Sequence, residues 1–107
     1  MSLPLEGLKV LAFEQYGAGP FGSQYLSDLG AEVIKIEPAG TDGDYLRALG
    51  PYFIDEERNS ASSIFFQALN RNKKSITLNI LSGEGKEILG KLVKTSDAVC
   101  NLSLIHI

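Results

Sequence analysis

The sequence predicts an α/β domain built on a mainly parallel sheet. Three observations carry that expectation. Two short, nearly continuous apolar runs, LKVLAF at 8–13 and AEVIKI at 31–36, suit strands covered on both faces. A glycine-broken turn and a stretch with helical spacing lie between them. The alternation then repeats as β-α-β-loop-α-β-α-β, an order that builds parallel sheets through crossover helices.

Each element has its own reason. Residues 8–13 form the first strand. Gly17 to Gly19 break it, and Pro20 suits the first turn of a helix, where its missing N–H has no partner to lose. Phe21, Tyr25, Leu26 and Leu29 recur at helical spacing among polar Ser23, Gln24, Ser27 and Asp28, and Gly30 stops the helix. Residues 31–36 form the second strand. Residues 38–59, rich in glycine, proline and charge, are expected to be a long loop with a short helical turn at 45–49. Residues 60–69 are expected to be helical, with Ser60 as N-cap and Ile64, Phe65, Ala68 and Leu69 as the packing face. Residues 70–74 form a polar turn, and the β-branched content of SITL, 75–78, gives a third strand. Ser82 caps a helix with Glu84 in its first turn and Ile88, Leu89, Leu92 and Val93 on one face. A last strand begins at 97–99.

Composition narrows the class. The chain has 107 residues, the size of one small domain, with 44% apolar and 21% charged residues. A net charge of −3 and the absence of a dense basic patch argue against nucleic acid. The one basic cluster, Arg71, Lys73 and Lys74, reads as a solvated turn or as contacts to phosphate on a small molecule. Cys100 is the single cysteine, so a disulfide framework within the chain is excluded and a cytoplasmic setting is expected. Cys100 and the single histidine, His106, give no metal-ligand set, so no metal is expected. No apolar run reaches the roughly 18 residues that span a membrane, and none is expected as a partner.

Gly17-x-Gly19-x-x-Gly22, followed by Glu37 at the end of the second strand, has the written form of a dinucleotide-binding fingerprint. That would make the chain a Rossmann domain for NAD or FAD, with Glu37 on a ribose. One feature fits poorly: Glu14, Gln15 and Tyr16 separate the strand from the glycines, and Glu14 would set a negative charge near a pyrophosphate unless it points away. The bland alternative is that the glycines only make a strand-to-helix turn.

Longer blocks point elsewhere. Pro4 to Leu11, then Ala18-Gly19-Pro20, then Leu29 to Glu37 resemble the opening of the class III CoA-transferases, the formyl-CoA and carnitine-CoA transferase type, which also includes α-methylacyl-CoA racemase. Gly43-Asp44 with Arg47, and Asn70 to Leu78, resemble two further blocks of that family, and Gly83 to Lys86, Leu92 and Asp97 resemble its next helix and strand. The likeness runs over about residues 3–99.

The resemblance implies a Rossmann-like fold, the N-terminal part of a larger family fold, and CoA chemistry. Such members move CoA between carboxylic acids through an aspartyl-CoA intermediate, dividing one hard exchange into easier covalent steps. They act on a CoA thioester and a carboxylic acid as interlocked homodimers. Carried over residue by residue, the resemblance sets Tyr16, Gly17 and Ala18 beside the CoA and Leu78, Asn79 and Ile80 near its nucleotide end. Small residues at 17 and 18 would let backbone approach the ligand. A racemase-type member remains an alternative, as does the NAD or FAD domain.

The departures are specific. Ala12 stands where many members have aspartate, Pro38 where some carry arginine for the CoA phosphates, and Leu81 where lysine is common. Lys35, Arg47 and Lys74 are the cations that could compensate. Residues 100–107 are expected to be a tail unlike the family, although Asn101 can match its asparagine. The family's catalytic aspartate has no counterpart here, and Asp28, Asp42, Asp44 and Asp97 are not promoted to the role. The implied identity is an N-terminal CoA-binding portion, residues 1–99, that lacks the nucleophile and is inactive alone.

Overall fold

A computed structural model of the chain describes residues 2–55 and 63–102. Four strands, β1 (Lys9–Phe13), β2 (Glu32–Pro38), β3 (Lys74–Leu78) and β4 (Ala98–Asn101), alternate with helices α1 (Ala18–Asp28), α2 (Ile64–Asn70) and α3 (Gly83–Lys94). A 3-10 turn at Tyr45–Ala48 lies in the long loop after β2, where a short helical turn was expected. All strand pairs are parallel, in the order β3-β2-β1-β4. The expected α/β class with a parallel sheet is what the chain adopts.

β1 is central, pairing β2 from Lys9↔Glu32 to Phe13↔Ile36 and β4 from Val10↔Ala98 to Phe13↔Asn101. Its two faces build two cores. Val10 and Ala12 pack with Ala31 and Val33, flanked by Leu5, Leu26 and Cys100. Leu11 packs with Ile34 and Ile36, flanked by Phe13, Ile76, Leu78, Leu89 and Leu92. The chain order turns outward in both directions from β1, so a crevice opens beyond the carboxyl ends of β1 and β4. Such reversal points are where open parallel sheets take ligands.

Four local expectations are corrected. The N-cap of α2 is Ser63, whose hydroxyl accepts from the Phe66 N–H; Ser60, the expected cap, lies outside the described residues, as does His106. The packing residue of α2 is Phe66, whereas Ile64, Phe65 and Ala68 are exposed and Leu69 is half-buried. On α1 the inward face is polar: Ser23, Gln24 and Ser27 are buried with Pro20, while Phe21, Tyr25 and Leu29 face out. The reason is chemical. What α1 meets is the Glu14 carboxylate and the Arg71 carbonyl, and hydroxyl and amide groups satisfy these where methyl groups cannot. On α3, Leu89 and Leu92 pack inward, Ile88 and Val93 are exposed, and Ser82 caps the helix through the Gly85 N–H as expected.

Candidate functional site

A cleft of about 750 Å³ lies over the carboxyl ends of all four strands. Its floor is Phe13 of β1, Ile36 to Pro38 of β2, Leu78 of β3 and Val99 and Asn101 of β4. Asn79, Ile80 and Leu81 wall one side, and Gln15, Ala39 and Tyr45 border the other. The wall loop is fixed from within: the Asn79 Oδ1 accepts from the Leu81 N–H at 3.1 Å, and the Asn79 carbonyl accepts from the Ser82 hydroxyl at 3.0 Å. Gly85 is required beneath it, because a Cβ there would lie 1.7 Å from the Asn79 carbonyl oxygen.

Of the six residues expected near a ligand, Leu78, Asn79 and Ile80 line this cleft directly. Tyr16, Gly17 and Ala18 form the neighbouring turn after β1. None of Tyr16, Gly17 and Ala18 lines the cleft itself; the Tyr16 ring stacks on Tyr45, which does, with centroids 5.4 Å apart and planes 10° apart. Gly17 ends the turn as the N-cap of α1 with φ −118°, so its backbone does not itself demand glycine. A Cβ at Gly17 would meet no protein atom, which leaves open space on that side. The close approach belongs instead to Gly19, where a Cβ would come within 2.8 Å of the Glu14 Cβ.

Beneath the turn lies a buried charged network. Glu14 borders the cleft but is buried, and its carboxylate accepts from the Ser23 hydroxyl at 2.7 and 2.9 Å and from Lys73 Nζ at 2.7 Å. Lys35 Nζ donates to Asp44 Oδ2 at 2.6 Å and to Asn70 Oδ1 at 2.9 Å, and lies 4.0 Å from Glu14. It sits 5.4 Å from the Phe66 ring centroid. Two buried cations thus meet two buried carboxylates, with side chains at most 2% exposed. Burial lowers the pKa of Lys73 against the pull of Glu14.

Glu37 has a structural role of its own. Its Oε1 accepts from the Asp44 N–H and Arg47 Nε, both at 2.8 Å, and its Oε2 from an Arg47 guanidinium nitrogen at 2.6 Å and from the Ser75 hydroxyl. Burial disfavours the charge, but the bonds from Arg47, Ser75 and the Asp44 N–H outweigh it and hold the carboxyl at about 2. Gly43 is needed beside it: φ is +83° there, and a Cβ would lie 2.6 Å from Glu37 Oε1. The Gly43-Asp44-x-x-Arg47 block is therefore a clasp on the end of β2. Glu37 is 3% exposed with both oxygens taken, so the dinucleotide expectation that it meets a ribose is not met.

The cations expected to compensate at the phosphates are engaged elsewhere. Lys35 is buried on Asp44, Arg47 is bidentate on Glu37, and Lys74 pairs with Glu32 at 2.8 Å at the opposite end of the strands. Arg71 pairs with Asp28 at 2.7 Å and Lys73 with Glu14, so the basic cluster ties α1 to the turn before β3. Among the described residues lining the cleft there is no lysine, arginine or histidine. Of Asp28, Asp42, Asp44 and Asp97, three are likewise committed: Asp28 to Arg71, Asp44 to Lys35, and Asp97 to the Lys9 N–H at 2.9 Å. Burial and the Glu14 charge push the Cys100 thiol up, the opposite of an activated nucleophile.

Sequence reasoning missed Asp44 and Lys35 as internal partners of the turn. The signal was present: in EVIKIEP, Val33, Lys35 and Glu37 share one side of a strand covered on both faces, so a buried lysine there demanded a buried anion.

The model of CoA-transferase family III matches residues 5–103. Human succinyl-CoA:glutarate CoA-transferase is 45% identical over 94 residues, 88% of this chain and 20% of that protein. Formyl-CoA:oxalate CoA-transferase of Escherichia coli is 42% identical over 97 residues, 91% of this chain and 22% of that protein. The crystal structure of a CAIB/BAIF family protein from Brucella suis superposes with a TM-score of 0.81 at 44% identity, covering 92% of this chain and 25% of that one. The chain spans about a fifth of the length of the curated relatives it matches. With the family's blocks mapped onto the turn after β1, the clasp on β2 and the β3–α3 wall, the chain belongs to CoA-transferase family III.

Proposed function

We propose that this chain is the N-terminal CoA-binding portion of an enzyme that moves CoA between carboxylic acids. The observation that carries the reading is the cleft itself: within the stretch that matches the family, one opening lies at the carboxyl ends of parallel strands, lined by Leu78, Asn79 and Ile80. Its lining is mostly apolar, its two acids Glu14 and Glu37 are engaged in internal bonds, and the amide groups of Gln15, Asn79 and Asn101 are its other polar side chains, which suits the long neutral body of a CoA thioester. The uncapped N-terminus of α1, at Gly17, adds a partial positive charge near the turn. Tyr16, Gly17 and Ala18 flank the ligand in this reading, and the strand order supports the Rossmann-like description.

The substrates are a CoA thioester and a carboxylic acid, as the names of the relatives state for themselves. No residue of this chain is assigned a catalytic role. A homodimer is the partner state, supported by outward-facing Phe21, Tyr25, Leu29, Ile64 and Phe65, which leave apolar surface for another copy. Calorimetric titration of the chain with acetyl-CoA tests the reading. Saturable binding that Ile80→Glu abolishes supports it; no heat at millimolar ligand from a folded chain overturns it.

A further inference from the structure

We propose that Asp44 is a positioning residue: its buried carboxylate holds the left-handed backbone at Tyr16 and thereby sets the turn and ring that border the cleft. The consequence for binding rests on the CoA reading above; the clamp itself does not.

Tyr16 has φ +67°, a region that a bulky aromatic residue seldom occupies and that its surroundings must enforce. The enforcing contact is visible. Asp44 Oδ1 accepts from the Tyr16 N–H at 3.1 Å and from the Leu46 N–H at 3.0 Å. Asp44 Oδ2 is held by Lys35 Nζ at 2.6 Å, and the Asp44 N–H is held by Glu37 at 2.8 Å. Asp44 is 1% exposed, so the carboxylate has no freedom to follow the turn; the turn must follow it. Lys35 in β2 therefore fixes Asp44, and Asp44 fixes Tyr16.

The left-handed turn has a visible product. It lays the half-exposed Tyr16 ring on Tyr45, the residue after Asp44, and within 6.3 Å of Phe65 at the start of α2. Three rings from the β1 turn, the β2 loop and α2 form one ladder beside the cleft. If φ at Tyr16 relaxed to negative values, the ring and the entry to α1 at Gly17 would move together. A bond from a carboxylate 28 positions along the chain thus couples the two segments that flank the ligand.

The test separates the hydrogen bond from the buried charge. Asp44→Ala and Asp44→Asn both remove the charge opposite Lys35, but only asparagine keeps an oxygen for the Tyr16 N–H. Proton NMR of the unliganded chain reads the Tyr16 ring through the ring currents of Tyr45 and Phe65. We expect Asp44→Asn to keep those shifted signals and a CoA affinity within about threefold of the parent, and Asp44→Ala to lose the signals and about tenfold in affinity. Equal disturbance by the two variants overturns the clamp. A second pair avoids the buried charge and remains decisive if Asp44→Ala does not fold. Tyr16→Gly accepts the left-handed turn freely, whereas Tyr16→Pro forbids it and removes the N–H. CoA binding at least tenfold tighter in Tyr16→Gly than in Tyr16→Pro supports the proposal; equal affinity in both, with the parent binding, refutes it. If the parent chain does not bind CoA, the cleft reading fails, and the Tyr16 ring signals alone decide the clamp.

Discussion

The two faces of this sheet solve burial in opposite ways. On the α1 and α2 face, β1 and β2 present Val10, Ala12 and Glu14 beside Val33, Lys35 and Glu37, and the helices answer with Ser23, Gln24, Ser27 and Asn70. On the α3 face, Leu11, Phe13, Ile34, Ile36, Ile76 and Leu78 pack with the aliphatic side chains of Ile80, Leu89 and Leu92. The first face is directional, since each charge accepts one arrangement of partners. The second is tolerant, since apolar contact depends on area and shape alone. The turn after β1 and the loop after β2 rise from the directional face, where a fixed geometry matters most for a ligand.

The largest way to break this contrast is Lys35→Met. The substitution keeps the length of the side chain and removes the cation, leaving Asp44 and Glu14 facing one another with a single buried counter-charge at Lys73. Removing one partner of a buried pair costs about 3–5 kcal/mol, to be read by urea unfolding. A loss under about 1 kcal/mol would mean the network is no more than packing.

That face was also the harder one to read in the sequence. The strands and their succession along the chain were legible, because apolar runs and glycine breaks report backbone conformation directly; their order in the sheet was not. The α3 helix was legible too, from the Ser82 cap and the Leu89–Leu92 spacing. The orientation of α1 was not: the apolar spacing of Phe21, Tyr25 and Leu29 states that the helix is amphipathic but not which face meets the sheet. That choice is set by Glu14 and Lys73, 59 positions apart, and periodicity within one helix carries no information about them. The candidate site divides in the same way. Leu78, Asn79 and Ile80 follow from a strand ending at a cleft, whereas Tyr16 borders it through its ring on Tyr45 and is held there by a bond to Asp44.

Acid sharpens the comparison, because the buried carboxylates Glu14, Glu37 and Asp44 all lie on the directional face, whereas Glu32 on the other side is exposed enough to pair at the surface with Lys74. The Glu37 carboxyl titrates at about 2 in the folded chain, below its ordinary value of 4.5. Its contribution is therefore fully present above about pH 4.5 and is lost as pH falls from there toward 2. The linkage is of order 3 kcal/mol. Glu37→Gln should lower stability at neutral pH and flatten the acid limb of the stability curve over that window. An unchanged acid limb in the variant would show that the clasp with Arg47 and Ser75 does not control it.

On the tolerant face the same treatment should cost less. Leu89 is half-buried, so Leu89→Ala removes only part of a buried side chain and its neighbours can settle. About 1–2 kcal/mol is expected at any pH from 4 to 8, with the ring signals of Tyr16 and Tyr45, on the other side of the cleft from Leu89, unmoved. A loss as large as that of Lys35→Met would erase the distinction between the faces.

The smallest expected effect concerns what the cleft lacks rather than what holds it. Leu81 is 83% exposed at the cleft wall, and its backbone is already pinned through the Asn79 side chain. A lysine there adds a mobile cation without disturbing a buried contact. If the nucleotide end of CoA lies against residues 78–81, Leu81→Lys should tighten CoA about threefold to tenfold at low salt. The gain should vanish near 0.5 M salt, where screening acts within a few ångströms. Dephospho-CoA, which lacks one phosphate, should gain less if that phosphate is the nearest group. Pro38→Arg, from the β2 side of the same opening, gives the opposing control. A salt-sensitive gain at position 38 and none at 81 would place the phosphates over β2, against the clasp, and leave the wall loop to the neutral part of the ligand.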